Sequence, residues 1–300
     1  MLTIGQEGTP LSKVDRSTTI WAGAFTANGK YLLSGDEESV RVWRVVDGEQ
    51  VARMTVGSVN CLAVANNGKW IAAGTFHGEL WVWDAKTYEQ VFMHWEDTSD
   101  INAVDFSPNS MHLVVASRNC TATIRDASTG ERVMNPLRHR DRVIAAKYSP
   151  RGDRIATATP RSIRVYDSID GRPLIDIKMN VIPWYNTGLL WFNDHLVVVS
   201  GNIIKRIDAS TGSAVSEWPV PDTKHSSCIV LSQRGEFIAY STDCSVVLLD
   251  TLTKSQLSLI QHTKDIRSIA LSTNQLIAVG GEGMKITKDL SRIIASIVYF

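Results

Sequence analysis

The sequence has no excess of charge of either sign: Lys and Arg total 31, as do Asp and Glu. Proteins that run along nucleic-acid phosphates need a clear basic surplus, so nucleic acid is disfavoured as a partner. No apolar stretch approaches the roughly 20 residues that cross a bilayer as a helix. The opening Met1-Leu2-Thr3-Ile4-Gly5-Gln6-Glu7 lacks the basic-then-apolar order of a secretory signal, and no membrane association is expected. Cysteine is scarce. The four, at 61, 120, 228 and 244, form neither a C-x-x-C pair nor a regular framework. Free thiols in the cytosol or nucleus are the reading, rather than a disulfide scaffold. The Asn119-Cys120-Thr121 sequon then carries no weight.

Chemistry-bearing motifs are missing as well. Gly23 to Lys30 looks superficially like a phosphate loop, but five residues separate its glycines instead of four and Tyr31 follows the lysine. It also sits in a strand–turn–strand setting, without the helix N-terminus that cradles phosphate. There is no G-x-S-x-G elbow and no H-E-x-x-H. His77, His94, His112, His139, His195, His225 and His262 are scattered through the chain. No catalytic residue, metal ligand or cofactor is nominated, and the chain is not expected to be an enzyme.

What is present is a period. Seven short β-like runs, at residues 40–44, 80–84, 122–126, 163–167, 203–208, 246–250 and 285–289, each stop at a polar or charged residue that opens a turn. Six of the closing residues are Asp84, Asp126, Asp167, Asp208, Asp250 and Asp289, spaced by 42, 41, 41, 42 and 39; Arg44 closes the first run. A fixed spacing of this size marks a repeat architecture. The stretch 142–182 shows one unit: four short β-like runs separated by turns at Pro150-Arg151-Gly152-Asp153, Thr159-Pro160-Arg161 and 167–171. Helical periodicity is absent, so the unit is an antiparallel meander. A lone four-stranded sheet cannot bury both faces, and radial stacking solves this.

Val42-Trp43, Val82-Trp83-Asp84, Val165-Tyr166-Asp167, the strand ends Phe106-Ser107-Pro108 and Tyr148-Ser149-Pro150, and Ile71-Ala72-Ala73-Gly74 together resemble the WD40-repeat β-propeller family. The resemblance covers essentially the whole chain. It implies an all-β, seven-bladed WD40-type propeller of four-stranded antiparallel blades in a single domain, 1–300. The blades fall near 17–55, 56–97, 98–139, 140–180, 181–221, 222–262 and 263–300. The family's ring closure by an N-terminal strand points to residues 9–14 as a clasp on the last blade. The apolar tail 291–300 competes for that slot. Trp43, Trp83, Tyr166 and the six aspartates form the structural repeat signature.

The family's His–Asp–Ser/Thr–Trp network is incomplete in every blade. Only His139 and His262 stand at its histidine position, and only Asp243 gives it an aspartate. Elsewhere the tight turn carries Glu37, His77, Asn119, Pro160, Gly201 or Glu282. Arg125 takes a tryptophan position, either as a stem with its head at the rim or as a charge placed for a ligand. The resemblance also implies a non-catalytic scaffold that binds a peptide or protein on its top face. A carbohydrate-binding propeller is the alternative. Degenerate arrays of this kind resemble the sensor ends of NACHT-type receptors. On the top face, Trp184 and Tyr185 occupy one loop, and Trp95 lies in another, His94-Trp95-Glu96-Asp97, which is longer than its counterparts. Aromatics in such places anchor interfaces. Asp36, Glu37, Glu38, Glu96, Asp97 and Asp100 make one side acidic, while Arg118, Arg138, His139, Arg140 and Arg142 make the other basic. The basic set suits an acidic or phosphorylated peptide. The chain is expected to act as a monomer.

Overall fold

The computed structural model describes residues 2–3, 10–11, 19–96, 99–181, 188–200, 202–220, 228–232, 235–242, 244–261, 265–272, 277–281 and 283–287. Turn chemistry cuts the chain into strands. Asp84, Asp126, Asp208 and Asp250 each accept two main-chain N–H groups from the residues two and three further on, at 2.6 to 3.0 Å, and Asp167 accepts one from Ile169 at 2.8 Å. Such Asx turns end the third strand of the second to sixth sheets and reverse the chain into the fourth. The same bonds favour the ionised form, and they hold the Asp208 carboxyl well below the usual range, led by the Ser210 hydroxyl.

Six four-stranded antiparallel sheets follow one another, each in simple sequential order. They open with Ala22–Phe25, Val59–Val64, Ile101–Phe106, Ala145–Tyr148, Leu189–Phe192 and Ile229–Leu231. They end with Gln50–Thr55, Gln90–Trp95, Leu137–Arg138, Pro173–Lys178, Ala214–Pro219 and Gln256–Gln261. A seventh sheet has three strands among the described residues, Ile266–Leu271, Ile277–Gly281 and Gly283–Thr287. Seven four-stranded blades were expected, and six are complete. The first strands of neighbouring sheets pack side by side in a closed circuit, Ile266–Leu271 returning to Ala22–Phe25. Ile20 N–H donates to Gly281 O at 2.7 Å across that seam. All seven first strands line a central cavity of about 160 Å³.

The core lies between blades. Each neighbouring pair encloses its own apolar cluster, such as Val42, Ile71 and Trp83 between blades 1 and 2. Ile20, Leu32, Trp43, Ala270 and Ala278 fill the cluster that closes the ring. Burying a residue of this kind stabilises by about 1.5–3 kcal/mol, so the inter-blade clusters rather than buried polar networks hold the ring. Gly74 marks how closely two blades approach: a Cβ there would overlap Ile101 Cγ2 of the next blade.

The clasp at 9–14 lies mostly outside the described residues. Its Pro10–Leu11 pairs with Leu2–Thr3. The competing tail 291–300, Asp289, His262 and Asp243 all lie outside them.

Candidate interaction surface

The hydrogen-bond networks inside the blades decide which polar side chains remain for a partner. In blade 1, Trp43 Nε1 donates to Ser34 Oγ at 2.8 Å. The turn role there falls to Asp36, one residue before the expected Glu37. The Asp36 side chain is fully buried, accepts from Ser39 N at 2.7 Å and pairs with Arg41 Nε at 2.9 Å. In blade 3, Asn119 Oδ1 accepts from Thr121 N at 3.0 Å and Oγ1 at 2.6 Å.

Arg125 fits neither role expected of it. Its side chain is about 2% exposed, and its Nε donates to Glu96 Oε1, from the connection entering the same blade. Glu96 Oε1 also accepts from Thr123 Oγ1 at 2.9 Å, and Arg125 Nη1 donates to Gly130 O at 2.6 Å. A buried ion pair has replaced the family's tryptophan-centred network. The two opposite charges meet inside the blade, both about 2% exposed, so neither a rim-placed head nor a ligand contact is left.

Blade 4 keeps two members of the network, His139 and Thr157, with Tyr166 in the tryptophan's place. His139 Nε2 lies 3.3 Å from both Thr157 Oγ1 and Tyr166 Oη, and its ring meets Tyr166 edge-on at 5.8 Å. Pro160 occupies the turn where an aspartate would complete the set, and His139 Nδ1 is buried without a hydrogen-bond partner. Burial, with Arg164 next in effect, pushes the His139 pKa down to about 4. Neutral His139 therefore pins the connection between blades 3 and 4, and its neighbours Arg138 and Arg140 are exposed. Successive residues of an extended chain point to opposite sides, which explains the alternation.

This connection runs inward from the outer edge of blade 3 to the first strand of blade 4. Arg138 pairs in register with Thr121, His139 N–H donates to Cys120 O at 2.9 Å, and Val143 N–H donates to Ser117 O at 3.1 Å. The turn bearing Arg118 therefore lies alongside it, and Arg118, Arg138, Arg140 and half-buried Arg142 share one seam. Their states differ. Arg118 Nη1 pairs with Asp100 at 3.1 Å, and Arg161 lies 3.9 Å from Asp141. Arg138, Arg140 and Arg142 form no ion pair among the described residues.

The acidic half expected on the same face is largely consumed. Asp36 and Glu96 are buried in pairs, Asp100 holds Arg118, and Glu38 holds Arg53 at 3.0 Å. Exposed Glu37 remains, and Asp97 lies outside the described residues. Trp95 lies on the outer strand of blade 2. It and His94 belong to a strand rather than a loop, in register with Glu79 and Leu80. Trp95 is 52% exposed and Met93, two residues earlier, 36%. Trp184 and Tyr185 lie outside the described residues.

Among the described residues, no group of three or more His, Cys, Asp or Glu side chains could hold a metal ion. Cys61, in the channel wall, has its thiol pushed up to about 12 by burial, which makes it unreactive.

Comparison with known proteins agrees with this architecture. The family model described as WD domain, G-beta repeat matches residues 8–44, 49–84 and 87–126. Mouse WD repeat-containing protein 1 is 27% identical over 125 residues, 35% of this chain and 21% of that protein. An uncharacterized WD repeat-containing protein of Synechocystis is 24% identical over 149 residues, 49% of this chain and 42% of its own. Rat WD repeat-containing protein 18 is 26% identical over 102 residues, covering 33% and 23%. The chain thus spans less than half the length of these curated relatives.

Proposed function

The chain is a WD40-repeat β-propeller protein, and on that footing we propose that it is a non-catalytic platform that binds a protein partner along the seam of blades 3 and 4. Propellers of this kind generally act as protein-interaction scaffolds. One observation carries the finer reading. Among the described residues, Arg138, Arg140 and Arg142 have no carboxylate partner, while most acidic groups on that face are tied up internally. The described residues of the seam therefore present net positive charge to a visitor. Guanidinium groups recognise carboxylate and phosphate through forked, charge-assisted hydrogen bonds, which suits an acidic or phosphorylated peptide. No disulfide joins the four cysteines among the described residues, which accords with work in the cytosol or nucleus; imaging of a fluorescent fusion checks this.

The test is capture of partners by the purified chain, identified by mass spectrometry, beside a variant carrying Arg138→Glu, Arg140→Glu and Arg142→Glu. Partners lost selectively from the variant, with its thermal unfolding unchanged, support the reading. An identical partner set from both proteins defeats it.

A further inference from the structure

The outer edge of blade 3 is unlike those of the other complete blades. Its fourth strand is the two-residue Leu137–Arg138, where blades 1, 2, 4, 5 and 6 each have six residues. The cause is local. Pro136 has no N–H to give to the ladder, so pairing with the third strand stops there. It resumes only at Arg132, in an isolated bridge to Arg125. Between this interrupted edge and the outer strands of blade 4 lies a groove of about 560 Å³.

The groove has apolar walls and a charged end. Asn135 and Pro136 line one side, Pro173 the other, and buried Leu137 and Tyr166 also contribute to the lining. Toward the rim, Arg164 Nε and Lys178 Nζ share a single carboxylate oxygen of Asp176, at 3.1 and 2.8 Å. Arg164 Nη1 reaches the Arg138 carbonyl at 3.4 Å. Arg138 itself is exposed and forms no ion pair among the described residues. The lining at this end thus holds two cations, Arg138 and Arg164, to one carboxylate, and Lys178 beside it adds a third cation. At the far end Asp170 accepts the Arg172 N–H of its own turn at 2.9 Å. Walls that exclude water strengthen a charge contact relative to the same contact on an open rim.

We propose that this groove on the propeller's circumference docks an acidic peptide segment of a partner protein. A carboxylate side chain meets Arg138 and Arg164 at the rim end, and adjoining apolar residues lie against Pro136, Tyr166 and Pro173. The proposal rests on the platform reading and places the specific contact over the edge of the ring, outside the top face. Blade 3 alone among the complete blades has the shortened edge that opens such a groove.

The test selects peptides from a random phage-displayed library on the folded chain, then measures the affinity of the synthesised winners by fluorescence anisotropy. Three proteins are compared: the parent; a groove variant, Arg138→Glu with Pro173→Trp; and a rim variant, Arg118→Glu, Arg140→Glu and Arg142→Glu. Both substitutions in the groove variant are at exposed sites, and unchanged circular dichroism melts certify all three folds. Winners rich in Asp or Glu whose affinity falls about tenfold or more in the groove variant support the groove. That holds whether or not the rim variant also weakens them; retention by the rim variant then refutes the rim contact alone. Loss confined to the rim variant, or winners without acidic enrichment, overturns the groove. A second arm compares phosphoserine with aspartate in the winning peptide and reads which anion the site prefers.

Discussion

Replacing Glu96 with glutamine leaves the Arg125 guanidinium buried without its counter-charge. Both side chains are about 2% exposed, so water cannot take over the lost interaction. Arg125 would keep Nη1 on Gly130 O at 2.6 Å, while its Nη2 is buried without a partner even in the intact pair. Thr123 would keep an uncharged acceptor, and Arg132, 3.7 Å away, would lose its carboxylate. Removing one member of a buried pair costs about 3–5 kcal/mol, because the remaining charge stays desolvated. Glutamine still offers a carbonyl to Nε, so the lower end, about 3 kcal/mol, is expected. Urea denaturation followed by tryptophan fluorescence measures it. The double variant Glu96→Leu with Arg125→Met supplies the decisive comparison, since it removes both charges and keeps the volume. Apolar isosteres of buried pairs are often neutral, so the double should lie within about 1 kcal/mol of the parent. A Glu96→Gln loss below about 1 kcal/mol, or a double variant no better than the single, refutes the claim that burial dominates this pair.

Three further outcomes follow from the same networks. His139, with its pKa pushed down to about 4, is favoured neutral in the folded chain. Its contribution is fully present above the unfolded value of about 6.5 and is lost as pH falls toward 4. The urea midpoint should therefore drop over that window, and His139→Leu should flatten the drop; equal slopes would contradict the assignment. Gly74→Ala forces a methyl into Ile101 and should cost about 1–3 kcal/mol by overpacking, with no loss expected if the two blades separate freely. Trp43→Phe removes the donor to Ser34 Oγ and should cost about 1 kcal/mol or more, read from thermal unfolding.

The ring was legible because its punctuation is local. An aspartate that accepts the N–H groups two and three residues on needs no distant partner, so Asp84, Asp126, Asp208 and Asp250 announce their turns in sequence. The arginine run at 138–142 was equally visible. Its electrostatic setting was not, because ion pairs join residues far apart in the chain. Arg125 and Glu96 are 29 positions apart, and nothing in the spacing announces that a tryptophan position has been taken over by a buried pair. The acidic residues at 36, 38, 96 and 100 read as a patch in sequence and are paired in space. Trp95 read as a loop anchor because its polar neighbours suggested a connection, yet register with Glu79 extends the strand through it. Asn135-Pro136 held the one signal for the shortened edge, a proline where a ladder N–H was due. Its consequence depended on the blade beside it.

Hydrogen exchange on the chain with and without a bound partner tests the central claim most directly. Slowed exchange concentrated at residues 117–121 and 137–143 is the expected result, since these strands and turns carry the seam. Protection confined to blades 1, 2 or 5 to 7, with exchange at the seam unchanged, would contradict it.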